Sequence, residues 1–331
     1  MNAKAAIHPM LVGALMRNMT DHAPCGSGDI RQALGSFRER ERFSAMGDIT
    51  AIILTRNEEQ NIGDCLRSIA ALVRRMVVVD CGSTDRTVEI AKSLGADVLT
   101  NEYSYYAQQF NWGIDSAGID TQWTIRIDAD ERFSPELCGE ILRETEAHAE
   151  DDVNGLAMDA EIVFMGRHLR HAGKKRKLMV FKTGIGRIEE RRRDAHTVVS
   201  RGRVLPLMHR YTHYDYKGLD HYVKRYNWYA DREALDYLDY VEGKSQEIKT
   251  DAAIAAKRHK KFNLYYKSPR LLRAWLWFLY NYVLRMGFLD GAPGFVYCFL
   301  ECYWYRVMVD AKLMEYERTG EIVRKLTALA D

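Results

Sequence analysis

The chain has 331 residues, 47% of them hydrophobic and 11% aromatic, so it can bury a core large enough for one enlarged domain or two ordinary ones, which excludes a disordered protein. Its 48 Lys and Arg residues against 46 Asp and Glu residues leave a formal net charge of +2, so no global field attracts nucleic acid. The six cysteines have no paired Cys-x-x-Cys spacing and no secretory signal precedes them, so we expect structural thiols in the cytosol.

Residues 1–48 mix short apolar pieces with Gly, Ser and charged residues and have no sustained period. We predict an N-terminal extension here, either disordered or an amphipathic arm. An alternative is that Met46 is the natural start, because a strand-like run follows it almost at once.

From residue 49 the sequence alternates between strand and helix patterns, in the order of a parallel sheet wrapped by helices. Short apolar runs rich in branched residues predict buried strands at 49–55, 76–80, 97–101 and 123–127. Helical periodicity and capping residues predict helices between these strands, within 56–73, 81–96 and 106–117.

Polar residues gather where three of these strands end, and ligands of open parallel sheets bind beyond the carboxyl ends of the strands. They are Thr55, Asn57 and Glu58 after the first strand, Asp80 and Ser83 after the second, and Asp128, Asp130 and Glu131 after the fourth. Each is also an ordinary turn or cap residue, but their joint placement favours a binding site.

The Asp-x-Asp spacing of Asp128 and Asp130 suits Mg²⁺ or Mn²⁺, which takes one or two protein carboxylates together with substrate phosphates. Asp80 could accept hydrogen bonds from a base or ribose. Neither a G-x-G-x-x-G turn nor a P-loop is present, which argues against a dehydrogenase or a phosphate-cradling NTPase. The residues therefore predict a nucleotide diphosphate bound through a divalent metal.

Four runs between residues 49 and 140 occur together in one order: AIILTRNEEQNIGDCLRSI, VVVDCGSTDRTVEIAKSLGA, AQQFNWGI and IRIDADERFSPEL. As a set they resemble the family 2 inverting glycosyltransferases with the GT-A fold. Downstream runs such as FMGRHLRHAG and RRRDAHTVVSRGRV are similar to a bacterial branch that builds cell-surface polysaccharide and lipopolysaccharide core on lipid carriers. The resemblance implies an α/β fold with a Rossmann-like, mostly parallel sheet wrapped by helices, followed by a C-terminal helical, aromatic-rich extension.

The resemblance also implies roles for individual residues. Nucleotide-sugar contacts would come from Thr55, Asn57, Glu58, Asp80, Ser83, Asn111 and Asp128. Asp130 and Asp128 would bind the metal, with His213 as a further candidate ligand. The implied donor is a UDP-sugar and the implied acceptor a lipid-linked saccharide.

An inverting transfer needs one general base to deprotonate the acceptor hydroxyl. Related sequences often read Asp-Glu-His where this chain has Asp194, Ala195 and His196. We predict Asp194 as the base, with Glu189 or Glu190 as substitutes. The alternative for Asp194 is an ion pair with the arginines that precede it.

Residues 271–288 form an apolar, aromatic stretch that is too short to span a bilayer comfortably. We predict an in-plane helix that inserts Trp275, Trp277 and Phe278 at the headgroup level, with the basic runs 174–177 and 257–261 against anionic lipid. This predicts a cytoplasmic protein that is peripheral on the inner face of the cytoplasmic membrane. Packing against the catalytic core, or a homodimer contact, is the alternative.

We therefore predict a GT-A domain at 49–240, with a nucleotide-sugar half (49–135) and an acceptor half (136–240), and a membrane-facing helical region at 241–331. The predicted reaction is inverting transfer of a sugar from a nucleotide-diphosphate sugar to a lipid-linked saccharide in cell-surface polysaccharide synthesis. Two alternatives are a catalytically silent nucleotide-sugar-binding scaffold and a sugar nucleotidyltransferase, which would release pyrophosphate. No recognisable nucleic-acid-binding module is present.

Overall fold

Branched apolar residues build the centre of the sheet. Strand β1 (Gly47–Thr55) pairs in parallel with β2 (Val73–Asp80) on one side and with β4 (Trp123–Asp128) on the other, and β3 (Asp97–Thr100) continues the parallel order beyond β2. Ile52 and Ile53, which point to opposite faces of β1, are both fully buried. The four predicted strands are therefore present, and the central one is covered on both faces.

The structure is a computed structural model that describes residues 46–102, 105–173, 175–189, 196–243 and 265–320. The predicted N-terminal extension thus lies outside the described residues, apart from 46–48. So do Glu190, Asp194 and the basic run 257–261, together with the first lysine of the run 174–177.

Four helices cover the first half of the sheet: α1 (Ile62–Ile69), α2 (Thr87–Ser93), α3 (Tyr106–Ser116) and α4 (Pro135–Ala147). Helix α1 is shorter than predicted, because Asn57 has a φ of 53° in the left-handed region and the chain turns before it becomes helical. Helix α4 begins where Ser134 accepts a hydrogen bond from the backbone N–H of Leu137 at 3.2 Å, with Pro135 in the first turn.

The second half of the sheet is mixed rather than parallel. Strand β8 (Arg176–Lys182) runs antiparallel to β4 and to β6 (Val153–Phe164). The remaining strands are β5 (Glu131–Arg132), β7 (Arg167–Leu169), β11 (Arg203–Pro206) and β12 (Tyr211–His213), and the separate hairpin β9 (Gly186–Ile188) and β10 (Thr197–Val199). The path through the sheet is β3-β2-β1-β4-β8-β6-β12-β5, with β7 and β11 also on β6.

A helical region follows the sheet. It comprises α5 (Gly218–Val241), α6 (Leu272–Leu279), a π-helical turn (Tyr280–Leu284), a 3₁₀ turn (Gly287–Asp290), α7 (Gly291–Tyr297), a π-helical segment (Cys298–Trp304) and α8 (Tyr305–Thr319). Within the region Tyr305 packs edge-on against Tyr226 of α5, and Tyr297 joins the region to the sheet by packing against Phe164 of β6. The predicted fold class, with its helical, aromatic-rich C-terminal extension, is confirmed.

The prediction for Phe278 is wrong. Its side chain is only 5% exposed and belongs to the core, where it contacts Tyr282 and Phe295, whereas Trp275 and Trp277 are 50% and 38% exposed. A helix turns by about 100° per residue, so neighbouring residues on α6 face different surroundings.

Ion pairs hold the helical region together and attach it to the sheet. Arg273 of α6 pairs with Asp310 of α8, both almost fully buried, and Nζ of Lys175, just before β8, lies 3.0 Å from Glu301. Burial alone would raise the pKa of the Glu301 carboxyl, but the Lys175 ammonium and the hydroxyls of Tyr226 and Tyr222 outweigh burial and lower it to about 2.

Within the described residues, no helix taken singly has the length and apolar character needed to cross a membrane. The two segments Leu272–Leu284 and Gly287–Thr319, which meet at an angle of 69°, reach those values only as a pair.

Candidate functional site

The turns after β1 and β2 are tied together by hydrogen bonds. Asp80 is 2% exposed and accepts from the Thr55 hydroxyl at 2.9 Å, from the Gly82 and Ser83 N–H groups at 3.0 and 2.8 Å, and from the Ser83 hydroxyl at 2.5 Å. Asn57 donates its N–H to the Ser83 hydroxyl at 2.8 Å. The structure thus brings together Thr55, Asn57, Asp80 and Ser83, with Asp80 fixing the shape of this part of the site.

Glu58 lies beside these turns and is partly buried. It accepts from Lys217 Nζ at 2.6 Å and from the Asn61 side-chain amide at 2.9 Å. Burial raises the pKa of the Glu58 carboxyl above its usual value, and Lys217 opposes that shift. Lys217, the residue just before α5, therefore lies beside the predicted nucleotide-binding residues.

Acidic side chains cluster at the end of β4 around one lysine of β8. Lys177 Nζ donates to Asp128 at 2.8 Å and to Glu131 at 2.5 Å, and Glu131 is 1% exposed. The other oxygen of Glu131 accepts the Asp128 N–H at 2.9 Å. We call Asp128, Glu131 and Lys177 the acid–lysine cluster.

Charge balance determines how the acid–lysine cluster ionises. Burial raises the pKa of the Asp128 carboxyl, but Lys177 and Arg126 outweigh burial and lower it to about 2. Burial lowers the pKa of the Lys177 ammonium, yet Asp128 and Glu131 together raise it well above its usual range. At neutral pH the cluster therefore holds an ionised Asp128 against a charged Lys177.

Asp130 lies next to the cluster with two basic partners. Its Oδ2 is 3.3 Å from His213 Nε2 and 3.2 Å from Arg225 Nη1. Burial would raise the pKa of the Asp130 carboxyl, but the charges of His213 and Arg225 bring it well below its usual range. Asp130 and His213, predicted from the sequence as metal ligands, are thus neighbours.

The donor atoms near Asp130 fit a divalent metal in part. No group of three or more His, Cys, Asp and Glu side chains able to hold a metal occurs in the part of the chain that the structure describes. Asp130 and His213 supply one carboxylate and one imidazole, and Mg²⁺ or Mn²⁺ commonly completes its shell with substrate phosphates and water. Asp128 fits less directly, since its two oxygens already accept hydrogen bonds from Tyr106 and Lys177.

Asn111, predicted to lie near the sugar donor, forms two hydrogen bonds with the backbone of strand β9. Its amide donates to the Ile188 carbonyl at 2.8 Å, and its carbonyl accepts the Ile188 N–H at 3.0 Å. Asn111 therefore holds the β9–β10 hairpin against α3.

A chain of polar side chains links that hairpin to the acid–lysine cluster. The Tyr106 hydroxyl donates to Asp128 at 2.7 Å, Arg126 Nε donates to the Tyr106 oxygen at 2.7 Å, and Arg126 Nη1 reaches the Thr197 hydroxyl at 3.2 Å. The hairpin is thus fixed relative to the end of β4.

Glu189 and His196 flank the segment that carries the predicted base, and they contact each other. Glu189 is 2% exposed and accepts from the His196 N–H at 3.0 Å and from His196 Nδ1 at 2.8 Å. Glu189 orients His196, while Asp194 and Glu190 lie outside the described residues.

Four site residues could not be recognised from the sequence: Lys177, Tyr106, Arg126 and Arg225. Lys177 belongs to a basic run predicted to face anionic lipid, but its ammonium lies in the acid–lysine cluster. The available signal was the continuous apolar run LMVF after Lys177, which is typical of a buried strand; Met179 to Lys182 are all buried on β8. Which lysine meets which acid depends on strand pairing and not on local sequence.

Comparisons with known proteins find similarity to glycosyltransferases. The family described as "Glycosyl transferase family 2" matches residues 50–219, just over half of the chain. An uncharacterized glycosyltransferase of Rickettsia typhi is 27% identical over 266 residues, which cover 76% of this chain and 82% of that protein. One of Rickettsia felis is 27% identical over 267 residues, with 76% and 84% covered.

Two solved structures are similar at low identity. A crystal structure of S. aureus TarS is 16% identical with a TM-score of 0.42, covering 83% of this chain and 93% of that chain. Glucosyl-3-phosphoglycerate synthase from Mycobacterium tuberculosis, in complex with Mn²⁺, uridine diphosphate and glucosyl-3-phosphoglycerate, is 20% identical with a TM-score of 0.29. That match covers 35% of this chain and 44%, less than half, of the synthase chain.

Replacing Lys177 tests the acid–lysine cluster. We expect Lys177→Met to lower the free energy of unfolding by about 3 kcal/mol, because it leaves Asp128 and Glu131 without their shared cation. The neighbouring change Arg176→Met removes a pair in which Arg176 and Asp159 are 57% and 40% exposed, and it should cost no more than about 1 kcal/mol. Chemical denaturation measures both, and equal losses would contradict this account.

Proposed function

The chain belongs to glycosyl transferase family 2 and is a glycosyltransferase, and on that premise we propose that it transfers a sugar from a nucleotide-diphosphate donor to a lipid-linked saccharide with inversion. The observation that carries the donor half is the meeting of the Asp80 turn with Asp128 and Asp130 at the carboxyl ends of β1, β2 and β4. These residues all lie within the matched span 50–219. The proposed donor is a UDP-sugar.

In this proposal the chain's own residues position the donor. The rigid turns that hold Thr55, Asn57 and Ser83 receive the nucleoside, and Asp128 contacts the ribose. Arg225 and Lys177 offset part of the negative charge of the acidic site, which would otherwise repel a diphosphate more strongly. Mg²⁺ or Mn²⁺, held by Asp130 and His213, would offset charge on the departing nucleoside diphosphate.

The acceptor half of the reaction requires one base. As the acceptor hydroxyl oxygen bonds to the anomeric carbon, the bond from that carbon to the diphosphate oxygen breaks on the opposite face, and the hydroxyl proton passes to the base. We keep Asp194 as the proposed base. Glu189, whose carboxylate receives two hydrogen bonds from His196, suits a positioning role for that imidazole.

The proposed acceptor is carried on lipid, and the proposed location is the cytoplasmic face of the membrane in cell-surface polysaccharide synthesis. One arrangement supports this. Lys177 pairs with Asp128 in the site, and Lys175, two residues earlier, pairs with Glu301 of the aromatic helical region. The donor site and that region are therefore joined through one short stretch of chain.

A screen of nucleotide sugars tests the proposal. With Mn²⁺ present, one UDP-sugar should release uridine diphosphate in proportion to the sugar transferred. Asp130→Asn should suppress this turnover while the protein stays folded, because it removes an anionic ligand at the end of a strand. The control Asp152→Asn changes a 67% exposed carboxylate and should leave turnover unchanged.

The products separate the alternatives. Pyrophosphate as the product would indicate a nucleotidyltransferase, and nucleotide-sugar binding without any turnover would indicate a silent scaffold. Wild-type turnover by Asp130→Asn at limiting Mn²⁺ would contradict the metal assignment.

The base is tested separately. Asp194→Asn should lower transfer on the order of 10²-fold to 10⁴-fold if Asp194 takes the proton, with donor affinity little changed. A loss of stability instead would support the ion-pair alternative. Full transfer by a folded Asp194→Asn protein, compared with Glu189→Gln and Glu190→Gln, would move the assignment to one of those residues.

A further inference from the structure

Exposed apolar side chains are concentrated in one part of the chain. Of the 20 large hydrophobic side chains exposed in the described residues, 14 lie between 271 and 299. We call this set the apolar face; it includes Trp275, Leu276, Trp277, Leu284, Phe288 and Leu289, which are 38% to 74% exposed. Exposed large apolar side chains concentrated in this way mark an interaction site.

The charges that accompany the apolar face are positive on balance. Between 265 and 300 the sequence contains Lys267, Arg270, Arg273 and Arg285 but a single acid, Asp290. Arg273 is 3% exposed and pairs with Asp310, and Arg270 pairs with Glu317, so Lys267 and Arg285 supply most of the positive charge at this surface. Asp290 is 2% exposed, so it adds little negative charge to the surface. A second copy of this chain would present the same positive set, whereas an anionic surface complements it.

Asp290 fixes a basic loop beside the apolar face. Its carboxylate accepts the N–H groups of Arg170, His171 and Ala172 at 2.9, 3.0 and 2.9 Å. These belong to residues 165–173, which we call the basic loop and which read MGRHLRHAG. A β-carbon at Gly291 would lie 3.2 Å from Nη1 of Arg167, so the exposed Arg167 lies directly beside α7.

We propose that the apolar face and the basic loop together form one docking surface for an anionic lipid bilayer. The tryptophans and aliphatic side chains enter the interface, and Arg167 and Arg170 contact lipid phosphates. This proposal rests on the proposed function in one respect only: binding to the bilayer would bring the site to its lipid-linked acceptor. The basic loop leads within a few residues to Lys177 of the acid–lysine cluster.

Vesicle co-sedimentation of the full chain tests the surface, using phosphatidylcholine vesicles with and without phosphatidylglycerol. Wild-type protein should bind the anionic vesicles more tightly and lose part of that binding in high salt. Arg167→Gln with Arg170→Gln should lower partition into anionic vesicles on the order of tenfold or more, towards the value for neutral vesicles. The charge-matched control Lys92→Gln with Arg143→Gln should leave binding to both kinds of vesicle unchanged.

The apolar part has its own pair of variants. Leu276→Ser with Leu284→Ser should weaken binding to both kinds of vesicle, while Met208→Ser, which changes an 88% exposed side chain outside the apolar face, should not. Thermal unfolding shows whether each variant is folded. If the leucine double variant does not fold, the arginine double variant still tests the proposal.

Three results would overturn the proposal. The folded wild-type protein could fail to bind either kind of vesicle, or the control variants could lose as much binding as the test variants. The third result is that the wild-type protein is a dimer and the leucine changes convert it to a monomer. Uridine diphosphate release with a detergent-solubilised acceptor is measured in parallel. Vesicle binding without transfer would refute the proposed function and leave the docking surface intact, and transfer without vesicle binding would do the reverse.

Discussion

The site depends on one electrostatic constraint: carboxylates at the end of a buried strand need positively charged side chains beside them. Like charges repel, and Asp128 and Glu131 are close enough to share the ammonium of Lys177 at 2.8 and 2.5 Å. Asp130 is compensated separately by His213 and Arg225. Because these partners come from β8, β12 and α5, residues of the second half of the domain contact the carboxyl ends of strands in its first half. The contacts that stabilise these acids thus also connect the two halves of the domain.

The same short stretch of chain serves two purposes. Lys177 closes the acidic site, and Lys175 holds Glu301, whose pKa of about 2 keeps it ionised within an aromatic region. The aromatic helices are therefore attached to the sheet beside the reactive end. Asp290 adds a third attachment, because it collects three N–H groups from the loop that precedes β8. The proposed transfer from a nucleotide sugar to a lipid-linked acceptor would use such proximity.

The sequence predicted what depends on local pattern. Branched apolar runs located β1, β2 and β4, and the residues at their ends, from Thr55 to Asp130, lie where parallel strands bring them together. Contacts between distant residues could not be predicted: Lys177 is 46 residues from Glu131, and Arg225 is 95 from Asp130. The prediction for Phe278 failed for a similar reason, since periodicity marks an apolar helix but not which side packs on the core. For Asn111, the fold shows that an amide expected near the donor pairs with the backbone of a hairpin.

The central claim is that the carboxyl ends of β1, β2 and β4 bind a nucleotide diphosphate. A crystal structure of the protein with uridine diphosphate and Mn²⁺ tests this most directly. The account predicts the nucleoside against the turns that hold Thr55 and Asp80, and the anomalous signal of manganese beside Asp130. Nucleotide density elsewhere on the protein, or Asp130 still paired with Arg225 and no manganese at a site with bound nucleotide, would contradict it.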